Sequence, residues 1–239
     1  MTGTLINTGA VVAGSLIGMA LKKGLNQRVE QTVTYVLGLS TSVIALNGLL
    51  STMLKVKEGG SVGSSGEMLL LVSLVIGAVV GEIIRIEDGL NALGEQIEHK
   101  LHADNFAKGF ISASLLFCVG AMTIMGTIYD GLRGDTSILV AKSMLDFIAA
   151  IILSSTLGIG VLFSAVTVLV YQGGLTLAAG LLEPVLVGSL LNNICMVGYA
   201  IVLCIGINFF GVIKIRTANL LPALLGPVVY NVLGMLKTL

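Results

Sequence analysis

Tryptophan is absent from this 239-residue chain, and proline, cysteine and histidine number only three, three and two. Charged residues make up 11% of the chain, far below the roughly 25% that is usual in soluble domains. The scarcity of charge excludes a soluble globular class, and a formal net charge of zero indicates no nucleic-acid partner. An odd number of cysteines without CxxC spacing indicates neither disulfides nor a metal site.

Apolar residues and glycine dominate instead, with 55% hydrophobic residues and 31 glycines. Eight continuous apolar runs approach the ~20 residues that cross ~30 Å of hydrocarbon. Such runs differ from the alternating pattern of outer-membrane strands. The sequence therefore predicts an all-α, polytopic transmembrane bundle of seven to eight spans, the number depending on whether the last, Pro-containing run crosses. The runs cover residues 5–21, 32–54, 68–85, 110–129, 137–157, 159–182, 187–210 and 220–236.

The distribution of positive charge predicts the orientation. Lys22, Lys23 and Arg28 follow the first run, and no basic segment precedes it, so this run does not resemble a cleaved signal peptide. Cytoplasmic loops carry the excess of Lys and Arg, which places the N-terminus outside. We expect a multi-pass protein of the bacterial plasma (inner) membrane, with the lipid bilayer as its surroundings.

An internal repeat underlies this order within one integral membrane domain, residues 1–239. Gly24-Leu25-Asn26 recurs as Gly89-Leu90-Asn91, and the preceding runs share Gly-Ala-Val-Val at 9–12 and 77–80. Residues 1–54 and 67–132 are thus expected to be two copies of a helical hairpin, and residues 136–239 to hold further hairpins. Small-residue faces at Gly14-x-x-x-Gly18 and at 73–81 predict close helix packing and would also allow a homo-oligomer.

Two segments between the runs have a character of their own. Residues 59–66, rich in Gly and Ser, predict a flexible external loop. Residues 86–102 place apolar side chains on one face at helical spacing, opposite acidic ones, which predicts an amphipathic helix at the cytoplasmic surface.

Asp146 is the main candidate for a functional residue. It lies about ten residues into its run, with Lys142 one helical turn earlier. Charge in hydrocarbon costs several kcal/mol, so ionisable residues at this depth usually face a bundle interior and mark a solute or ion path. The alternative is an i,i+4 ion pair in which Lys142 extends outward and neighbouring hydroxyls satisfy Asp146.

Polar residues in other runs extend this candidate site. Tyr171 and Gln172 precede Gly173-Gly174 in the middle of a run, where paired glycines predict a locally unwound helix or, alternatively, close packing. Asn192, Asn193 and Asn7 lie nearer the outer ends of their runs, where amides line a path or join helices by hydrogen bonds. The prolines of the last run predict a kink there.

Enzymatic chemistry is not indicated. The chain has no HExxH or P-loop motif, and no histidine lies in a run. Glu95, His99 and His102 have metal-ligand spacing on the amphipathic segment, although a solvated face explains them better, so we expect neither metal nor cofactor. A second carboxylate for aspartate-dyad chemistry is not evident.

Four strings are distinctive: FCVGAM at 117–122, GEIIRIE at 81–87, STLGIGVLFS at 155–164 and YQG at 171–173. They resemble an uncharacterised bacterial inner-membrane family that includes YqgA and YdfK. The resemblance covers essentially the whole chain. It implies a multi-pass plasma-membrane protein without an established activity, and it supplies no functional residues.

The sequence thus leads to two functional hypotheses. The first is a transporter or channel for a small solute or cation, with a midplane site at Asp146 and Gln172, and with Asn7, Asn192 and Asn193 nearer the outer mouth. The alternative is a non-transporting membrane scaffold or sensor that acts through the amphipathic helix at 86–101.

Overall fold

The computed structural model describes residues 1–22, 27–56, 61–101, 106–182 and 189–236, and nearly all of these residues are helical. Two short strands, β1 (Leu54–Val56) and β2 (Val62–Ser64), and a 3₁₀ helix, Thr217–Leu225, accompany the α-helices. The α-helices are α1 (Thr2–Lys22), α2 (Gln27–Met53), α3 (Glu67–Ile84), α4 (Ile86–Leu101), α5 (Phe106–Cys118), α6 (Ala121–Arg133), α7 (Ser137–Leu157), α8 (Ile159–Leu177), α9 (Ala179–Leu182), α10 (Ser189–Phe209) and α11 (Gly226–Leu236).

Six of the described helices, α1, α2, α3, α7, α8 and α10, are long and apolar enough to cross a membrane. Helices α5 and α6 meet this condition only together, and they are bent by 62° at the break between them. With that pair the number of spans reaches seven. The structure confirms the all-α, polytopic helical bundle, and the fourth apolar run forms two half-helices where one span was expected.

The last apolar run also departs from a regular α-helix. Residues Thr217–Leu225, which include Pro222, form the 3₁₀ helix, and Pro227 lies in the first turn of α11, where its missing N–H costs little. Together they form an apolar helical segment, residues 217–233, that is shorter than the six candidate spans.

The described residues cluster into two compact units. The first contains Met1–Gly38 and Gly89–Leu186, and the second contains Leu39–Asp88 and Val187–Leu239. In the second unit, Gly77 and Gly81 of α3 approach the backbone of Ala223 and Asn219, so that the 3₁₀ helix runs antiparallel to α3. This contact confirms the packing face predicted at 73–81.

In the first unit, α1 and α7 run parallel. A side chain at Gly3 would meet Leu139, and one at Gly18 would meet Ile151. Residue numbers therefore increase in the same direction along both helices. Parallel spans are separated by an odd number of crossings. If α2 and α3 each cross, the bent pair α5–α6 must cross as well.

Two connections are tightly defined. Helices α7 and α8 are joined through Gly158, whose φ of 71° and ψ of −145° suit glycine alone, and this turn agrees with the tight hairpin implied by adjacent runs. Strand β2 pairs antiparallel with β1, with Val62 opposite Val56. The expectation of an unstructured loop over 59–66 is therefore wrong for 62–64, because main-chain pairing orders this segment.

Some expectations fall on residues outside the described ranges. They concern the repeated Gly24-Leu25-Asn26, the beginning of the 59–66 loop, and His102 at the end of the amphipathic segment. Helix α4, Ile86–Leu101, agrees with the predicted helix up to Leu101.

Candidate functional site

Close packing of α1 on α7 positions the site. A Cβ atom at Gly14 would lie 2.5 Å from the carbonyl oxygen of Phe147, and one at Gly18 would overlap the carbonyl of Ile151. Only glycine allows two helix backbones to approach so closely. The Gly14-x-x-x-Gly18 face is thus confirmed as a packing surface, and it holds the polar residues of α1 against α7.

Asp146 lies at the centre of a buried polar cluster in the first unit. Lys142 forms an ion pair with its Oδ2 atom, and Nδ2 of Asn7 donates a hydrogen bond of 3.0 Å to the same oxygen. Lys142 is 6% exposed, Asp146 7% and Asn7 not at all. Lys142 therefore does not extend outward, and an amide from a distant helix satisfies Asp146 in place of hydroxyl groups. Asn7 contacts Asp146 directly, which differs from its expected place nearer the outer mouth.

Gln172 lies at about the depth of Asn7, on the side of α8 that faces α1. The hydroxyls of Thr4 and Thr176 are 3.2 Å apart where α1 and α8 meet in antiparallel orientation. Asn7 follows Thr4 by three residues, and Gln172 precedes Thr176 by four, so both amides lie on the facing sides of these helices at similar depth. We call Asn7, Lys142, Asp146 and Gln172 the central cluster.

The amide of Gln172 is buried without compensation. The residue is fully buried, and neither Nε2 nor Oε1 has a hydrogen-bond partner within the described ranges. The Oδ1 atom of Asn7 likewise has none there. An unsatisfied buried polar group costs roughly 1–3 kcal/mol, so the central cluster has unused capacity for hydrogen bonding or for ligation.

A break in the α5–α6 pair lies near the same depth. Gly120 has a φ of 136° and a ψ of 153°, which only glycine adopts readily, and the hydroxyl of Thr123 donates to the carbonyl of Phe117 across the break. Helices α6 and α7 are antiparallel across their short connection, and Gly126 packs against Leu139, so Gly120 and Asp146 both lie ~10 Å from this contact in the same direction along the helix axes.

The predicted unwinding at Gln172-Gly173-Gly174 is wrong. Helix α8 continues without interruption from Ile159 to Leu177. A side chain at Gly174 would meet no atom within 4 Å, so these glycines are not close-packing positions either. In hydrocarbon each unpaired backbone group costs several kcal/mol, and this cost keeps the α8 hydrogen bonds intact despite the weak helix propensity of glycine.

A second buried carboxylate, Asp130, was missed by the sequence reasoning. Its Oδ2 atom accepts a 3.0 Å hydrogen bond from the backbone N–H of Gly3 and lies 2.9 Å from the amino group of Met1. A sequence signal was present, because Thr123, Thr127 and Asp130 follow one another at i, i+4 and i+7 on one face of α6, and all three are buried. Asp130 thus caps the first turn of α1.

The remaining predicted site residues lie elsewhere. Tyr171, next to Gln172, is 37% exposed and points away from the buried side of α8. Asn192 and Asn193 belong to α10 in the second unit, where Nδ2 of Asn192 donates a 2.6 Å hydrogen bond to the carbonyl of Thr52. This bond joins α10 to the end of α2, as the helix-packing interpretation of Asn192 expects. Asn193 is half-buried.

The possible metal ligands cannot be assembled from the described part of the chain. His102 lies outside it, as do the side chains of Glu95 and His99. No group of three His, Cys, Asp or Glu residues able to hold a metal occurs among the described residues.

Helix α4 is anchored in the second unit by its first turn. The backbone N–H of Glu87 donates to Oδ1 of Asn219 at 2.7 Å, and the Glu87 carboxylate accepts from the N–H of Ala218 at 3.2 Å. Burial raises the pKa of Glu87, although the Ala218 N–H and the charges of Lys214 and Arg216 oppose this shift. The base of α4 is therefore held firmly against the 3₁₀ helix.

Comparison with known proteins places this architecture in a family. Residues 2–232 match the family described as "Protein of unknown function (DUF554)". The chain belongs to this family. It is 34% identical over 227 residues to the uncharacterized membrane protein YdfK of Bacillus subtilis strain 168, covering 95% of this chain and 94% of the relative.

A second relative is the uncharacterized protein YqgA of Escherichia coli strain K12. It is 30% identical over 230 residues, with 93% of each chain covered. These matches confirm the resemblance noted in the sequence and support a membrane protein. No solved structure matches the chain.

Proposed function

We propose that this DUF554 protein is a transporter or channel for a small cation or solute, with its site at the central cluster. The observation that supports this proposal is the buried Lys142–Asp146 pair, together with the unpaired, buried amide of Gln172 on α8 at similar depth. Charged residues inside membrane bundles characteristically mark ion and substrate pathways. The proposal contains no chemical step and therefore no enzymatic activity.

The broken helix supports the same proposal. In many transporters, discontinuous helices present free backbone groups and the ends of helix dipoles to a site near the midplane. The N-terminus of α6 follows Gly120 close to the depth of Asp146, and α5 ends at Cys118 just before this break. A flexible joint beside the site would let one half-helix move when a solute binds.

The proposed orientation places the N-terminus outside the bacterial plasma membrane, following the distribution of Lys and Arg. The parallel arrangement of α1 and α7 then puts the α6–α7 connection on the outer side and the beginning of α5 on the inner side. In a background without native cysteines, Asp135→Cys in intact cells should react with a membrane-impermeant maleimide, and Ala107→Cys should react only after lysis. Equal labelling of both positions would contradict a crossing by α5–α6.

Flux in proteoliposomes tests the function. Purified protein is reconstituted, and the uptake of Na⁺, K⁺ and H⁺ is followed under an imposed membrane potential, after a thermal-shift screen has ranked ions and small metabolites. A ligand at a hundredfold excess over Kd stabilises a native state by about 2.7 kcal/mol, which is readily detected. We expect Asp146→Asn to abolish flux.

Asp135→Asn provides the matched control, because it makes the same change at an exposed carboxylate. If Asp146→Asn does not fold, the neutral double variant Lys142→Met/Asp146→Asn replaces it. Full flux through either folded variant would overturn the site. Silence across the ions and the screen, with folded protein, would overturn the transport proposal.

Anchoring of α4 favours a second candidate, a scaffold or sensor. Hydrogen bonds to Asn219 and Ala218 hold its first turn in place, and the amphipathic helix that begins there would bind a partner or lipid. In that case Leu90→Ser with Leu93→Ser would abolish a cellular phenotype that Asp146→Asn leaves unchanged. The transport proposal expects the opposite pattern.

A further inference from the structure

We infer that the central cluster is a site for a small monovalent cation, and that the Lys142 ammonium acts as a tethered competitor for it. This inference rests on the proposed function and specifies its substrate class. Lys142 and Asp146 are both at most 7% exposed, so the ammonium binds the carboxylate in a setting that is largely closed to solvent. An ion of similar size and charge would satisfy the same carboxylate.

The available oxygen atoms support a cation. The Oδ1 atom of Asn7 and the Oε1 atom of Gln172 have no hydrogen-bond partner among the described residues, and both residues are fully buried. Together with Asp146, they offer one carboxylate and two amide oxygens. Hard cations prefer such oxygen ligands, and a single carboxylate balances one positive charge.

The unpaired Gln172 amide sets this cluster apart from a simple structural ion pair. The pair itself needs only Asn7, which already donates to Asp146 at 3.0 Å. Gln172 contributes no hydrogen bond to that arrangement within the described ranges, yet the Thr4–Thr176 contact places it at about the depth of Asn7. A cation that replaces the Lys142 ammonium would give both amide oxygens a partner.

The competition has a measurable consequence. A ligand whose site is open only part of the time binds with an apparent Kd raised by the inverse of that open fraction. Lys142→Met removes the competitor and leaves the carboxylate and the amide oxygens in place. We expect its apparent Kd for the cation to fall about tenfold or more relative to the unmodified protein.

The experiment uses purified full-length protein in detergent, titrated with NaCl, KCl or NH₄Cl against choline chloride at constant ionic strength. Cation binding is read as the shift in Tm. The unmodified protein should show a weak shift in Tm, and Asp146→Asn should abolish it. Lys142→Met should show its shift in Tm at a much lower cation concentration. Comparing the three salts identifies the preferred ion, and Lys55→Met, at an exposed lysine, is the matched control.

Three outcomes would overturn the inference. The first is a Lys142→Met protein whose Tm is the same in the cations and in choline. The second is a Lys142→Met protein that only acid stabilises, which would mean that Asp146 takes up a proton. The third is a cation response of Lys142→Met that persists when Asp146→Asn is added. If Lys142→Met does not fold, the comparison of unmodified protein with Asp146→Asn decides, because equal shifts contradict the site. Cation binding without any flux would instead overturn the transport proposal and leave this inference standing.

Discussion

Replacing Gln172 with leucine separates function from stability at the central cluster. The side chain is fully buried, and both of its polar atoms lack a partner within the described part of the chain. Each unsatisfied buried group costs roughly 1–3 kcal/mol, and leucine has a similar volume without polar atoms. Gln172→Leu should therefore raise the free energy of unfolding by roughly 1–3 kcal/mol, after allowance for imperfect packing of the branched side chain.

Thermal unfolding of the detergent-purified protein measures this effect. At ~2–4 °C per kcal/mol, a scale taken from soluble proteins of this length, Tm should rise by several degrees. Gln31→Leu is the control, because Gln31 is exposed, donates to the Tyr35 hydroxyl and should change stability little. Flux in proteoliposomes should fall in Gln172→Leu and stay unchanged in Gln31→Leu. A Gln172→Leu protein that is less stable and fully active would refute the reasoning.

Three further predictions concern packing, the ion pair and pH. Gly18→Ala should lower the free energy of unfolding by roughly 1–3 kcal/mol, because the added Cβ overlaps the α7 backbone. Gly9→Ala, where the added Cβ meets open space, should cause no such loss, and thermal unfolding measures both. Lys142→Met or Asp146→Asn alone should lower the free energy of unfolding by roughly 3–5 kcal/mol. In a double-mutant cycle, the double variant should recover much of this stability. Burial raises the pKa of Glu87 above its usual 4.5, so its contribution to stability is present below that pH and is lost as pH rises through the folded-state pKa. Tm measured against pH should accordingly decline less in Glu87→Gln.

Much of the architecture could be predicted because the membrane constrains it strongly. Apolar runs near 20 residues must be helices in hydrocarbon, since every backbone group needs a partner within its own segment. Small residues spaced by four, as at Gly14 and Gly18, reliably indicate packing faces. The position of Asp146 near the middle of α7 also follows from counting residues along its run.

Contacts between distant segments could not be predicted in the same way. Asn7 and Asp146 are separated by 139 residues, and only the parallel packing of α1 on α7 brings them together. A helix break was one of the two interpretations of Gly173-Gly174, but the break lies at Gly120. Helix propensity is the same for these glycines and does not distinguish them. The difference lies in a local contact, since the hydroxyl of Thr123 donates to the Phe117 carbonyl and so compensates the break at Gly120.

The Lys142–Asp146 pair has a structural explanation as well as a functional one. Its i,i+4 spacing lets the pair form within α7 alone, so this helix can enter the membrane with its charges neutralised. That role does not explain Gln172, whose amide lies on another helix and gives the pair no hydrogen bond within the described residues. It does not explain the helix break at Gly120 either. If the ion pair served only membrane insertion, the protein would tolerate leucine at position 172 and a continuous helix through position 120. The case for transport therefore depends on these two residues more than on the charges beside them.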